Sequence, residues 1–163
     1  MDSLIKSLEK VPISYEAIKR LGLPDNIGVV LYKNLSKGDL SKDAVIVLLE
    51  NKEQRIGHFI TIVKGREYFD SYGKSPQFAI QKTGVSDKLL EILPKGFIRN
   101  RVRLQKESGS VETCGLFCIA RALFSNLSQR EFLGLFRRQT HLRTPDDTIT
   151  LMTLLLRRLM VKE

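Results

Sequence analysis

The chain has few of the residues from which metal centres, disulfide frameworks and membrane spans are built. Its 163 residues include two cysteines, two histidines and no tryptophan. No apolar run approaches the length needed to cross a bilayer, so we expect no membrane partner. The N-terminal stretch MDSLIKSLEKVP lacks the basic and then apolar layout of a secretory signal peptide. We therefore expect a reducing compartment, in which both cysteines stay free thiols.

What the chain does contain is typical of a soluble globular domain. Apolar residues make up 42% of it and charged residues 28%, a balance unlike that of disordered chains. The length suffices for one well-filled core, and the sequence shows no internal repeat and no long linker. We therefore expect a single domain over residues 1–163.

Positive charge is concentrated in the C-terminal part. Residues 98–163 contain 12 Lys or Arg against 6 Asp or Glu, whereas residues 1–97 contain 15 against 12. Clustered positive charge attracts polyanions, because binding releases the counterions that are condensed on phosphates. Nucleic acid is therefore a candidate partner of the C-terminal part, and a solvated basic face is the simpler interpretation that stays open.

Apolar patterns predict a sheet in the middle of the chain. The run AVIVLLE (44–50) is typical of a buried strand, and GHFITIVK (57–64) alternates like a second strand. The glycine of KGR (64–66) predicts a hairpin turn into a return strand at 67–73. RNRVRLQ (99–105) alternates again, which would place its three arginines on one face of a strand.

Helical signals dominate both ends of the chain. Ser14 is positioned to cap a helix, and apolar residues recur at helical spacing from Cys114 onwards. Ser128 and Glu131 form the sequence of a capping box, and Thr144 precedes a proline and two aspartates that are typical of a helix start. The sequence thus predicts an α+β fold, with a central, mostly antiparallel sheet packed with helices.

The segment VETCGLFCIA (111–120) holds both cysteines, and their places in the predicted helix differ. Cys114 lies in the first turn, where unpaired backbone N–H groups and the helix dipole stabilise an anion and lower the pKa of a thiol. The same N–H groups favour the oxyanion that forms when a thiolate attacks a carbonyl. Cys118 lies one turn deeper among apolar residues and is interpreted as packing. Cys114 is therefore the candidate nucleophile.

A cysteine nucleophile needs a base, and the base needs an acceptor that orients it. His58 begins the second predicted strand, and the hairpin brings Asp70 back level with the start of that strand. A histidine satisfied by the core is the alternative interpretation of His58. His141 lies in a polar loop between helices and is a much weaker candidate. Gln105 precedes Cys114 by nine residues, and its amide is a candidate second oxyanion donor.

The order His, acidic residue, Gln, Cys-Gly resembles that of the adenovirus-type endopeptidases, within the clan that includes the SUMO- and ubiquitin-like-specific proteases. GHFITIVKGREYFDSYG (57–73) is similar to the family's histidine strand and the acidic strand that follows it. SVETCGLFCIA (110–120) is similar to the segment around the adenovirus nucleophile. The proteases of virophages and of Polinton/Maverick elements are similar in size and motif layout. The resemblance covers roughly residues 45–125.

This resemblance implies a fold with the nucleophile at the N-terminus of a buried helix. It implies that Cys114 is the nucleophile, His58 the general base and acid, Asp70 the residue that orients His58, and Gln105 the oxyanion donor. It also implies a viral maturation endopeptidase that cleaves capsid or core precursors after small residues, especially Gly, in the virion or the infected cell. No cofactor is implied, although activation by DNA or by a viral peptide fits the family.

Three features depart from the family's pattern. Phe59 stands where the family has a tryptophan that shapes the substrate channel. The step from Gln105 to Cys114 is longer than usual. The adenovirus enzyme is joined to its activating peptide by a disulfide through a further cysteine, and this chain has no third cysteine to form it.

The residues leave three alternatives open. A SUMO- or ubiquitin-like-specific protease, or a related acetyltransferase-like effector, would use the same chemistry at Cys114. A non-enzymatic, basic nucleic-acid-binding domain would leave both cysteines structural. A zinc site built from the two cysteines, His58 and His141 is disfavoured, because two cysteines four residues apart on one helix do not match the usual short cysteine knuckle.

Overall fold

The computed structural model describes residues 12–54, 56–107, 112–137 and 144–160, the last six of these by their backbone. At its centre lies a five-stranded sheet in which the strands stand in chain order. The strands are β1 (Ile27–Leu31), β2 (Ala44–Asn51), β3 (Ile56–Val63), β4 (Glu67–Phe69) and β5 (Ile98–Arg99). The α-helices are α1 (Tyr15–Lys19), α2 (Pro76–Thr83), α3 (Lys88–Ile92), α4 (Cys114–Leu123), α5 (Gln129–Arg137) and α6 (Pro145–Met160). Two short 3₁₀ helices, Tyr32–Asn34 and Lys37–Ser41, connect β1 to β2.

The α+β prediction is confirmed, and the sheet that was expected to be mostly antiparallel is mixed, with a parallel pair at each edge. The inner pairs β2–β3 and β3–β4 are antiparallel, whereas the outer pairs β1–β2 and β4–β5 are parallel. A parallel pair needs a crossover connection, because the chain must return to the end of the sheet where it started. The 3₁₀ helices supply that connection between β1 and β2, and α2 with α3 supply it between β4 and β5.

Helix α2 was not predicted from the sequence, although its end signals are present there. The hydroxyl of Ser75 accepts a hydrogen bond from the N–H of Phe78, and Pro76 occupies the first turn. Gly84 ends the helix in the left-handed conformation, with φ of 68°. These local signals outweigh the weak apolar periodicity of the segment.

The hairpin between β3 and β4 is confirmed, and its turn has a clear local cause. Lys64 and Gly65 have φ values of 50° and 65°. A type I′ hairpin turn requires such positive φ values at both of its central residues. A Cβ on Gly65 would come within 2.6 Å of the carbonyl oxygen of Leu40, so a larger residue does not fit there. The turn sets a register in which Thr61 pairs with Phe69.

Strand β4 is shorter than predicted and ends at Phe69, directly before Asp70. At that point the side chain of Asn100 makes the two backbone hydrogen bonds that a neighbouring strand would otherwise make. Its Oδ1 accepts from the N–H of Asp70 at 2.9 Å, and its Nδ2 donates to the carbonyl of Asp70 at 2.6 Å. Asp70 therefore leaves the sheet with its backbone fully held.

The predicted strand over 99–105 is wrong beyond Arg99. The N–H groups of Leu104 and Gln105 both donate to the carbonyl of Ser71, at 2.8 and 3.0 Å, instead of to a strand. Arg99 does not share an exposed face with the other arginines, because its guanidinium donates to the carbonyl of Gly73 at 3.2 Å. The alternation in this segment reflects alternating burial of side chains in irregular backbone.

The predicted helix starts at the two ends of the chain are confirmed within the described residues. Ser14 accepts from the N–H of Ala17 at 3.1 Å at the start of α1. Ser128 and Glu131 form the predicted capping box at α5, and Thr144 exchanges two bonds with Asp147 at α6. Across the described residues, none of the helices is both long and apolar enough to span a membrane.

Helices cover both faces of the sheet. Ile46 and Phe59 face one buried cluster, to which α4 and α5 contribute, and Ile60 faces a second cluster with α2 and α3. A buried ion pair ties α4 to β4: the Arg121 guanidinium donates to both carboxylate oxygens of Glu67, at 3.0 and 2.8 Å. This pair holds α4 against β4, the strand that directly precedes Asp70.

Candidate active site

His58 and Asp70 are brought together by the β3–β4 hairpin, as the sequence predicts. His58 is the third residue of β3, and its Nε2 lies 3.0 Å from Oδ2 of Asp70. Both side chains are buried, with exposed fractions of 1% and 0%. The other carboxylate oxygen of Asp70 accepts from the N–H of Tyr72 at 2.8 Å. The carboxylate thus has a fixed orientation and in turn fixes the imidazole ring.

Cys114 is the first residue of α4 and lies against the same histidine. Burial by itself raises the pKa of the Cys114 thiol. The hydrogen bond to His58, the positive charge of His58 and the backbone N–H groups of Phe59 and Gly115 act in the opposite direction, and they hold that pKa below its ordinary value. The site therefore favours a thiolate at Cys114.

His58 shows the complementary shift. Burial lowers the pKa of His58, but hydrogen bonds to Asp70 and Cys114, together with their negative charges, raise it to about 9. Since Nε2 faces Asp70, the remaining ring nitrogen, Nδ1, is the one that serves Cys114. The lowered pKa of Cys114 and the raised pKa of His58 both favour the thiolate–imidazolium form of the pair.

Cys118 has no part in this arrangement. Its side chain is fully buried within the cluster that α4 and α5 share with the sheet. Burial raises the pKa of the Cys118 thiol well above its ordinary value, and the hydroxyl of Thr61 only partly offsets that effect. The prediction that Cys118 is a packing residue is confirmed by this burial.

Gln105 lies in irregular backbone and not at the end of a strand, yet its side chain points into the same network. Its Oε1 accepts from the hydroxyl of Ser71 at 2.7 Å. Its Nε2 donates to the hydroxyl of Tyr72 at 3.2 Å. The structure therefore connects Gln105 to His58 through the Tyr72 side chain.

Sequence comparison finds a similar protein of viral origin. No family model matches the sequence, and no solved structure matches it. The chain is similar to the uncharacterized protein V9 of Sputnik virophage, with 27% identity over 173 residues that cover 92% of this chain and 98% of that protein. The similarity supports a viral protein.

Tyr72 is a site residue that reasoning from the sequence missed. Its ring stacks on the imidazole of His58, with centroids 5.3 Å apart and planes inclined by 23°. The ammonium of Lys82 lies over the Tyr72 ring at 4.5 Å from its centroid. Burial, followed by the charges of Cys114 and Asp70, raises the pKa of Tyr72, so its hydroxyl stays protonated. An aromatic residue two positions after the candidate acid, in DSYG, was the available signal.

Gly115 allows the start of α4 to approach its neighbours closely. A Cβ at this position would lie 2.2 Å from Cγ2 of Ile13 and 3.3 Å from the ring of Phe59. Phe59, which stands at the tryptophan position of the resemblance, is buried beneath this glycine. Ile13 and Phe59 thus form the apolar surroundings of the first turn of α4.

The described residues contain no group of three or more His, Cys, Asp or Glu side chains arranged to hold a metal ion. His141, the weaker candidate base and a ligand in the zinc alternative, lies outside the described residues.

What the geometry can do chemically is nucleophilic acyl transfer. It combines a thiolate, an imidazolium that can move a proton, a carboxylate that orients it and the N–H groups of a helix start.

Proposed function

We propose that this protein is a cysteine endopeptidase with Cys114 as nucleophile, His58 as general base and acid, and Asp70 as the residue that orients His58. The observation that carries the proposal is the row of three side chains, in which His58 contacts Asp70 at 3.0 Å and hydrogen-bonds Cys114 at the first residue of α4. A merely structural histidine does not require a cysteine whose pKa is lowered at a helix start.

The reaction follows from the positions of the groups. The Cys114 thiolate forms an S–C bond to the peptide carbonyl, and the C–N bond then breaks as His58 gives its proton to the leaving amine. Water then attacks the acyl-enzyme while His58 takes a proton from that water. The S–C bond breaks, which releases the acid and restores the Cys114 thiolate. Asp70 keeps the imidazole in one orientation through both steps.

Two donors are proposed for the oxyanion that forms in each step. One is the backbone N–H of Cys114, because the N–H groups of a first helical turn have no partner within the helix. The other is the Gln105 amide, whose Oε1 accepts from the Ser71 hydroxyl and whose Nε2 donates to the Tyr72 hydroxyl. Loss of one such donor lowers kcat by about 100-fold or more in enzymes of this type.

The proposed substrates are viral capsid or core precursor proteins, cut after small residues such as Gly in the virion or the infected cell. The full-length similarity to a virophage protein supports the viral setting. The resemblance of the site residues to those of adenovirus-type endopeptidases supports the substrate class. The excess of positive charge in residues 98–163 is the reason to include DNA as an activator in the assay.

The proposal is tested by incubating the purified protein with a peptide library rich in Gly and Ala, with and without double-stranded DNA, and locating cleavages by mass spectrometry. Capsid precursors and a panel of ubiquitin-like proteins serve as protein substrates. We expect cleavage by the native protein and by Cys118→Ala, but not by Cys114→Ala. Equal cleavage by the two cysteine variants would overturn the mechanism, and cleavage confined to ubiquitin-like proteins would overturn the substrate class.

A further inference from the structure

The connection from Gln105 to Cys114 separates the proposed oxyanion donor from the proposed nucleophile by nine residues. Residues 108–111 of this connection lie outside the described residues, but both of its ends are described. One end is Lys106, directly after Gln105, and the other is Thr113, directly before Cys114. A long connection by itself would hold the proposed oxyanion donor and the proposed nucleophile only loosely relative to each other.

Both ends bind the same carboxylate, that of Asp146. The N–H of Lys106 donates to Oδ2 of Asp146 at 2.9 Å. The hydroxyl of Thr113 donates to Oδ1 of Asp146. A single side chain from α6 therefore bridges the residue that follows Gln105 and the residue that precedes Cys114.

Asp146 is well placed to act as a rigid bridge. It lies in the first turn of α6, where the helix dipole stabilises its negative charge, and it is only 3% exposed. Thr113 is fully buried, and α6 packs against α4. Hydrogen bonds to a charged, buried acceptor are stronger than those to a neutral one.

The bridge reaches the catalytic groups through short backbone links. The carbonyl of Thr113 accepts the N–H of Phe117 at 3.1 Å, so the position of Thr113 sets the first turn of α4. On the other side, Lys106 is the neighbour of Gln105, whose own N–H is bound to Ser71 at 3.0 Å. A shift of either end would therefore move a proposed catalytic group.

We infer that Asp146 is a positioning residue of the proposed peptidase, which holds Gln105 and Cys114 in register by bridging Lys106 and Thr113. The inference rests on the proposed function, and it makes helix α6 part of the catalytic apparatus. A displacement of about 1 Å between reacting groups lowers a rate by about 100-fold. The role of Asp146 is thus mainly in the acyl-transfer step, because the thiolate is supported first by the hydrogen bond and charge of His58 and less by the N–H groups of Phe59 and Gly115.

The test compares Asp146→Asn with Asp147→Asn as a matched control. Asp147 occupies the next position of the same helix turn, but its carboxylate binds the N–H and hydroxyl of Thr144, in the start of its own helix. We expect kcat for peptide cleavage to fall about 10- to 100-fold in Asp146→Asn with little change in KM, and to stay within about 3-fold of the native value in Asp147→Asn.

Alkylation of Cys114 by iodoacetamide separates positioning from loss of structure. Alkylation needs the thiolate but develops no oxyanion, so its rate should fall far less than kcat in Asp146→Asn. Thr113→Val should reproduce the loss of kcat, and adding it to Asp146→Asn should lower kcat little further, since both remove the same bridge. A parallel fall of alkylation and cleavage in Asp146→Asn would overturn the inference, and so would equal kcat values for the two aspartate variants.

A spectroscopic readout keeps this inference distinct from the proposed function. The side-chain amide resonances of Gln105 and the backbone amide of Gly115 should shift in Asp146→Asn and stay in place in Asp147→Asn. If the native protein cleaves no peptide, the proposed function fails. If the resonances are also unchanged in Asp146→Asn, the positioning role of Asp146 fails as well. If the native protein cleaves peptides but the resonances do not move, the bridge alone is wrong.

Discussion

The first and second turns of α4 carry the same side chain in opposite chemical states. At the first turn, Cys114 receives hydrogen bonds from His58 and from two backbone N–H groups, and its pKa is lowered. At the second, Cys118 is enclosed by apolar side chains, and its pKa is raised. Cys114 is partly exposed and Cys118 is buried, yet burial raises the pKa of both thiols, so burial alone does not explain their opposite shifts. The positive charge and the hydrogen-bond donors that reach the sulfur explain them.

The largest expected contrast comes from removing each sulfur in turn. Cys114→Ala should lower peptide cleavage by at least about 1,000-fold, because the proposed nucleophile is lost, while thermal unfolding stays close to that of the native protein. Cys118→Ala should keep its activity and lose about 1–3 kcal/mol of unfolding free energy, because a packed core side chain is truncated. Cleavage assays and chemical denaturation on both variants measure the contrast, and a stable but inactive Cys118→Ala would break it.

The next prediction removes the negative charge of Asp70, which raises the pKa of His58 beside the first turn of α4. In Asp70→Asn the negative charge that raises the pKa of His58 is gone, so that pKa should fall below about 9. The alkaline limb of kcat/KM, which reports loss of the His58 proton, should therefore move to lower pH, and the maximal rate should fall by about 100-fold. The pH–rate profile provides the measurement. An unmoved alkaline limb would show that Asp70 does not act on His58.

Alkylation sharpens the contrast between the two thiols directly. At pH 7 we expect Cys114 to react about 10-fold faster than a free cysteine, because its thiolate is more populated, and Cys118 not to react in the folded protein. The rate at Cys114 should fall as the pH drops through its lowered pKa. Mass spectrometry of peptides after brief labelling identifies the modified residue, and preferential labelling of Cys118 contradicts the assignment.

The smallest expected effect concerns the packing of the first turn. Gly115→Ala places a Cβ 2.2 Å from the Ile13 side chain, so we expect a loss of about 1–3 kcal/mol of unfolding free energy from overpacking. The double variant with Ile13→Ala should recover most of that loss, because the opposing methyl group is removed. Denaturant unfolding of the three variants checks this, and an absence of recovery would mean that the glycine serves another purpose.

The central part of the site was predictable because it depends on local patterns. Apolar alternation and the glycine of the hairpin turn place His58 and Asp70 side by side, and helical periodicity places Cys114 at a helix start. Each of these inferences spans few residues and uses one periodicity. The structure agrees with both placements.

The remainder of the site was not predictable in the same way, because irregular backbone carries it. The alternation at 99–105 reports alternating burial, but the backbone bonds of that segment go to Ser71 instead of to a strand. Tyr72 and Asp146 reach the site from a turn and from a distant helix. Contacts of this kind follow from tertiary packing, which a single sequence does not display.

The buried ion pair between Glu67 and Arg121 has a consequence for when the chemistry begins. Glu67 opens the short strand that leads to Asp70, and Arg121 lies on the helix that begins with Cys114. Before these distant segments meet, as in a chain leaving the ribosome, Cys114 has neither its histidine partner nor its helix start and is an ordinary thiol. The lowered pKa of the Cys114 thiol is therefore a property of the folded arrangement of β3, β4 and α4, and an unfolded chain does not have it.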